Sequence, residues 1–452
     1  MTILTISNAY SFPSILSVSG VNARYFTDAT GKVILLVGSH TWDNRQDLGT
    51  GAFDWTGYLD DLETWGHNFI RLWIWEEPSP PNGSPNLVQT TTTLTPEVWA
   101  RSSTPGEADG GNKFDLTQYN STHFIRLRQR CIDARNRGIY VSIMLFNGWS
   151  AAQKGGGADP WPNHPFQNGN NINSIDGDTN NDGNGFETQD LSVSAITALQ
   201  DAYIEHVIDV VNDLDNVLFE IANEPDGTVT GTYDWCNHMI DYIHTYEAGK
   251  PKQHPVWFTI PYPGGDNDEL VASNAEAISR NGEITSAGAA IDVYDTDHLY
   301  GIGGSAIDAW SVFTRGAGGY AYMDSWDNLF LDCSGLGHPI QNLRDNLGYI
   351  LAIANLVDLL HTVPQDGGTS PCQTGYCLKP ASGSYHQYIC FQPNSGNFTL
   401  DLTGESGTFD IRKVRLSNGD IDTAQTTTGG ASRTITQPTG WTTGWSCWVR
   451  PQ

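Results

Sequence analysis

Apolar and polar positions along the chain follow two rhythms. Short, continuously apolar runs occupy residues 33–37, 68–75, 140–146, 217–222, 256–260, 275–279, 290–295 and 319–323. Between them lie stretches with helical spacing. Residues 54–65 carry Trp55, Leu59, Leu62 and Trp65 on one stripe; residues 124–137 end at Gly138; residues 195–214 and 342–361 are further helical patterns. Strands apolar on both sides, alternating with helices, predict a parallel sheet covered on both faces. Eight such units predict a (β/α)8 TIM barrel. A doubly wound open sheet shares the alternation, but no GxGxxG follows a strand here. Beyond residue 376 the pattern changes to short alternating segments separated by Gly, Asn, Ser and Pro. That change predicts an antiparallel β-sandwich. Residues 3–30 are also β-rich and are expected to pair with the sandwich or cap the barrel floor. The expected organisation is an N-terminal β segment (1–19), a barrel (20–365) and a C-terminal β-sandwich (366–452).

Charge narrows the partners. Among 452 residues, 51 acids face 23 bases, a net charge of −28. Such a field repels phosphate backbones and anionic lipid, which argues against nucleic-acid and membrane partners. Charged residues make up only 16% and aromatics 11%, with 15 Trp. This composition suits a folded protein with an aromatic-lined binding face. No apolar run is long enough for a transmembrane helix. Residues 1–13 show no signal peptide. An extracellular location is nonetheless expected, with the signal removed or export by another route. Of seven cysteines, Cys372, Cys377, Cys390 and Cys447 fall near the C-terminus. They are expected to form a Cys372–Cys377 or Cys390–Cys447 disulfide, or to remain buried thiols. No Cys or His spacing suits zinc. The oligomeric state is not legible.

Polar and aromatic groups gather immediately after the apolar runs. They are His40 and Trp42; Arg71 and Trp75; Asn147 and Trp149; Asn223 and Glu224; Tyr262; Asp295, Asp297, His298 and Tyr300; and Trp326. In a barrel these positions share the C-terminal face, where active sites sit. Two long loops, about 76–117 and 150–192, would emerge there too. Each residue has a plainer reading as well. Glu224 could serve a helix N-terminus, Asp297 cap a turn, His298 fill a structural role and Arg71 make a core ion pair. Carboxylates and indoles converging on one face suit glycoside hydrolysis better. One protonated carboxyl donates to the leaving oxygen, and a second meets the oxocarbenium-like charge. Indole and phenol faces stack on sugar rings.

The segment VLFEIANEPDG, with Asn223-Glu224-Pro225 at the end of a fourth strand, resembles the acid/base motif of clan A glycoside hydrolases, the cellulase-like family 5 group. VNARYFTDATGKVILLVGSHTWDN and Arg71 in NFIRLWIW are similar to the same group. DTDHLYGIGG and WSVFTRGAGGYAYMDSW resemble family 140-like proteins, in which a barrel precedes a collagen-binding-type β-sandwich. The resemblance implies a retaining mechanism with Glu224 as acid/base and a nucleophile after strand 7. Clan A enzymes usually carry Glu there; this chain has Asp295-Thr296-Asp297-His298. Asp297 is the first choice of nucleophile and Asp295 the second. A strand numbering shifted by one would point to Glu276 or Glu283. Arg71 is expected to bind the nucleophile and Asn223 the sugar 2-hydroxyl. His40, Trp42, Trp75, Asn147, Trp149, Tyr262, His298, Tyr300 and Trp326 complete the expected substrate site.

Asp176, Asp178, Asn180, Asp182 and Glu187 stand at positions 1, 3, 5, 7 and 12 of a calcium-loop spacing, although position 6 is Asn181 and no flanking helices are evident. No cofactor is required by this chemistry; a structural calcium is the one metal expected. The expected activity is retaining hydrolysis of a poly- or oligosaccharide. The alternative is a barrel that binds carbohydrate without turnover.

Overall fold

The computed structural model describes residues 12–48, 51–79, 93–154, 157–282, 290–295, 299, 303–324, 326, 340–365 and 367–452. Eight parallel strands close into a barrel. They are β1 (Leu36–His40), β2 (Phe69–Leu72), β3 (Tyr140–Asn147), β4 (Val217–Asn223), β5 (Val256–Thr259), β6 (Ala277–Ser279), β7 (Ile291–Asp295) and β8 (Gly319–Met323). β8 pairs with β1, which closes the ring. The expected strands are all present. β1 starts three residues later than the apolar run at 33–37, because Val33–Ile34 instead joins a small N-terminal sheet with Ser17–Val18 and Phe26–Thr27.

Alternation along each strand explains the barrel interior. Phe69, Leu218, Trp257, Ala277 and Val293 belong to one core cluster, together with Leu16 and Phe26 of the N-terminal segment. That segment therefore plugs the barrel floor. Side chains two residues apart point to the same face of a strand. The next inward positions are Arg71, Glu220, Thr259, Ser279 and Asp295, all fully buried. The inner face thus turns from apolar to polar toward the C-terminal end of the strands.

Helices α1 (Trp55–Trp65), α2 (Ser121–Arg135), α3 (Ser194–Val211), α4 (Thr232–Glu247), α5 (Asn267–Ala272), α6 (Ala306–Thr314) and α7 (Ile340–Ala354) cover the outside. α1 is capped by Asp54, whose side chain accepts the Gly57 N–H, and it buries Trp55, Tyr58, Leu59 and Leu62. Among the described residues no helix is long and apolar enough to cross a membrane.

The stretch expected as one loop after β2 differs from expectation. It contains a twisted hairpin, Trp99–Pro105 with Asn112–Tyr119, anchored by Trp99, Phe114 and Leu116 in the core. Its alternating apolar positions are too few and too irregular to stand out among Thr and Pro.

The C-terminal region begins with β9 (Thr362–Pro364) and continues through β10 (Cys377–Pro380), β11 (Tyr388–Gln392), β12 (Phe398–Asp401), β13 (Thr408–Arg415), β14 (Ile421–Thr428), β15 (Ser432–Ile435) and β16 (Trp445–Pro451). Six strands form one antiparallel sheet, and β12 with β15 forms the facing pair. Cys377, Cys390, Phe409, Ile411 and Trp445 of the large sheet pack against Phe398, Leu400 and Ile435 of the small one. The outer face of the large sheet places Leu378, Ile389, Phe391 and Trp448 against Trp310 and Phe313 of α6 and Leu343, Leu347 and Ile350 of α7. The sandwich is therefore docked on the barrel through a second apolar core.

Candidate active site

Arg71 is the organising group. Its guanidinium lies in the barrel interior with no exposed side-chain surface. Nε donates to Glu220 Oε2 at 2.7 Å, and Nη2 completes a two-pronged contact with Glu220 Oε1. Nη1 donates to Asp295 Oδ2 at 2.7 Å, and Nη2 to Asn223 Oδ1 at 2.9 Å. One planar cation thus ties β2 to β4 and β7, a geometry suited to the forked guanidinium and not to lysine. Burial disfavours the charge on Arg71, but Glu220 and Asp295 more than offset this and raise its pKa. The Asp295 backbone N–H donates to the Ser279 hydroxyl oxygen at 2.9 Å.

His40, at the end of β1, places Nε2 3.7 Å from Asp295 Oδ1 and stacks on Trp73 at 5.2 Å with a 2° interplanar angle. Burial lowers its pKa against the pull of Asp295, so the imidazole is neutral at pH 7. Trp42, Trp73 and Trp75 pack together, with the Trp75 indole N–H donating to the Trp42 carbonyl at 2.7 Å. All three are buried.

Glu224 follows β4 directly and is 4% exposed. Trp149 Nε1 donates to its Oε2 at 2.6 Å. Asn147 sets Trp149 by accepting its backbone N–H at 3.1 Å, while its own amide donates to the Ile74 carbonyl at 2.8 Å. Glu224 has φ +46°, a left-handed conformation that costs energy for a non-glycine residue. Half-buried Lys154 donates to the Glu224 and Tyr262 carbonyls and helps hold this turn. Gly148 lies so close that a Cβ there would sit 2.0 Å from the Glu224 carbonyl oxygen. Gly148→Ala is therefore expected to displace the Glu224 turn and destabilise the protein by about 1–3 kcal/mol, as overpacking does. Chemical denaturation would check this; a native midpoint would show that the turn tolerates the shift.

The structure brings His40, Trp42, Arg71, Trp75, Asn147, Trp149, Asn223, Glu224 and Asp295 to the C-terminal end of the barrel. Tyr262 sits at the rim and is 56% exposed. Asp297, His298, Tyr300 and Glu283 lie outside the described residues. Trp326 packs away from this group, against Phe53 and Tyr58, with its indole N–H on Asp61 of α1 at 2.8 Å. Glu276 precedes β6 at the floor end, where it accepts the Val256 N–H at 2.8 Å and faces His244. It stands on the wrong side of the barrel for catalysis. Three participants were missed. Glu220 was signalled by a lone acid inside an apolar strand, Trp73 by its place in NFIRLWIW, and Lys154 by nothing in its local pattern.

The loop holding Asp176, Asp178, Asn180, Asp182 and Glu187 uses its acceptors on its own backbone. Asp178 Oδ1 accepts the Asp182 N–H at 2.9 Å, and Glu187 Oε1 the Asn180 N–H at 3.2 Å. Among the described residues no cluster of His, Cys, Asp or Glu side chains converges as a metal-ligand set.

A closed parallel barrel with a polar, aromatic-walled C-terminal end defines a TIM-barrel protein. No family model and no curated protein matches the sequence. Solved structures match the fold. One described as a glycoside hydrolase aligns over 98% of this chain and 99% of its own, with TM-score 0.58 and 12% identity. A glycoside hydrolase family 5 structure from Bacteroides vulgatus ATCC 8482 aligns over 98% and 95%, with TM-score 0.58 and 12% identity. A structure from the same organism assigned to the glycoside hydrolases aligns over 97% and 82%, with TM-score 0.66 and 11% identity. At these identities the likeness establishes a shared fold.

Proposed function

We propose that this protein is a retaining glycoside hydrolase acting on a poly- or oligosaccharide, with Glu224 as acid/base and a strand 7 aspartate as nucleophile. The observation that carries the reading is the Arg71 fork, which binds Asp295 on one side and Asn223, the neighbour of Glu224, on the other. In the first step Glu224 protonates the glycosidic oxygen while the aspartate attacks the anomeric carbon and forms a glycosyl ester. In the second, Glu224 takes a proton from water, which cleaves the ester. Arg71 holds the Asp295 carboxylate by a charge-assisted hydrogen bond. The Trp149 indole N–H fixes the Glu224 carboxyl, and the half-buried Trp149 ring offers a face for a sugar. Asp297 lies outside the described residues, and the Arg71 hydrogen bond supports Asp295 as a candidate beside it. The shared fold with glycoside hydrolase barrels is consistent with this assignment, and the acidic, aromatic-rich chain fits action outside the cell.

A barrel that binds carbohydrate without turnover is the second reading. It is favoured by Asp295 having no exposed surface and already being engaged by Arg71. A panel of aryl glycosides and plant and microbial polysaccharides, followed by mass spectrometry after a 2-fluoro-sugar inactivator, separates the two. Label on Asp297 or on Asp295 is expected, and the labelled residue is the nucleophile. Saccharide binding without hydrolysis or labelling would establish the second reading.

A further inference from the structure

Four of the six described cysteines, all buried thiols, meet inside the sandwich. Cys377, Cys390 and Cys447 face one another across β10, β11 and β16, and Cys377 Sγ lies 3.6 Å from Cys390 Sγ. Among the described residues no group of His, Cys, Asp or Glu side chains converges as a metal-ligand set, these four cysteines included. Cys377 and Cys447 are separated by two strand spacings, roughly 10 Å, whereas a tetrahedral thiolate site holds its sulfurs about 2.3 Å from one ion.

The ladder decides which pair can bond. In an antiparallel ladder, opposed residues alternate between hydrogen-bonded pairs, about 5.5 Å between Cα atoms, and non-hydrogen-bonded pairs, about 4.5 Å with closer side chains. Phe391 donates its N–H to the Tyr376 carbonyl at 3.0 Å, so the 376/391 pair is hydrogen-bonded. The adjacent Cys377/Cys390 pair is therefore the narrow kind. The backbone of Cys390 faces the other way, toward Cys447, and makes that the wider pair. A disulfide needs Cβ atoms about 3.5–4.5 Å apart, which the narrow kind of pair approaches more closely than the wide kind.

We propose that Cys377 and Cys390 form a cross-strand disulfide when the chain folds in an oxidising compartment, with Cys372 and Cys447 left as buried thiols. Cys390 thiolate attacks a disulfide donor and releases one donor thiolate. Cys377 then displaces the second, so two electrons pass to the donor and two protons leave the protein. Burial pushes the Cys390 thiol well above its ordinary pKa. Once formed, the bond is shielded inside the sandwich core. It joins β10 and β11, whose other faces carry Leu378, Ile389 and Phe391 onto the barrel helices. The link thus stiffens the docked sheet without touching the barrel site.

The test compares the full chain made in a reducing cytosol with the chain exported to an oxidising compartment, each alkylated in denaturant and mapped by mass spectrometry. The oxidised protein is expected to have two fewer alkylated thiols, a Cys377–Cys390 linked peptide and a Tm higher by several degrees. Cys377→Ser abolishes both the link and the gain, and Cys447→Ser leaves both. A fully alkylated exported protein, or a link from Cys390 to Cys447 or Cys372, would overturn the proposal. Its result is independent of whether the barrel hydrolyses glycosides.

Discussion

Glu224→Ala is expected to lower turnover of the cleaved glycoside by about 100- to 10,000-fold, the contribution typical of a positioned general acid–base. The fold should survive, because Glu224 lies at the end of β4 and its Oε2 meets the Trp149 indole at the barrel mouth. The pattern of loss matters more than its size. Aryl glycosides with good leaving groups need little protonation, so their first step should be spared while ester hydrolysis slows. Added azide should restore turnover by attacking the glycosyl ester without a general base. Native activity in this variant, or loss that is equal for all leaving groups and unmoved by azide, would remove Glu224 from the acid/base role.

The largest stability effect is expected at Arg71. Arg71→Met leaves Glu220 and Asp295 in the barrel interior without their cation. Breaking a buried pair in this way costs about 3–5 kcal/mol, a large part of the 5–15 kcal/mol that typically holds a domain together. Chemical denaturation should show the midpoint falling accordingly. Adding Glu220→Gln should recover much of the loss, since one of the two stranded charges is then gone. Arg71→Lys keeps a charge but cannot reach Glu220, Asp295 and Asn223 together, so it should remain destabilised. If Arg71→Met denatures like the native protein, the cation is not what holds these acids in the barrel.

The barrel was legible because its strands are nearly uniformly apolar and its helices are striped, a pattern that burial on two sides imposes. The sandwich was legible from its short alternating segments, whereas residues 3–30 fitted the sandwich or the barrel floor equally and only their contacts with Phe69 and Trp257 place them at the floor; the hairpin after β2 was masked by its polar, irregular alternation. At the site, Asn223-Glu224-Pro225 and Arg71 stood out because charged and amide groups at strand ends have no use in packing. Trp326 follows β8 and packs on Phe53 and Tyr58, a contact its local pattern does not announce.

The chain's own order of residues determined the number and sequence of strands, the polar ends that face one side, and the identity of the acid after β4. Only the closed ring decided that Arg71 meets Glu220 and Asp295, since those partners are distant in the chain and become neighbours through strand curvature and register. The same holds in the sandwich, where ladder phase rather than cysteine spacing sets which sulfurs approach. Local periodicity follows from the geometry of one strand or helix, whereas side-chain partnership depends on how separate elements are brought together.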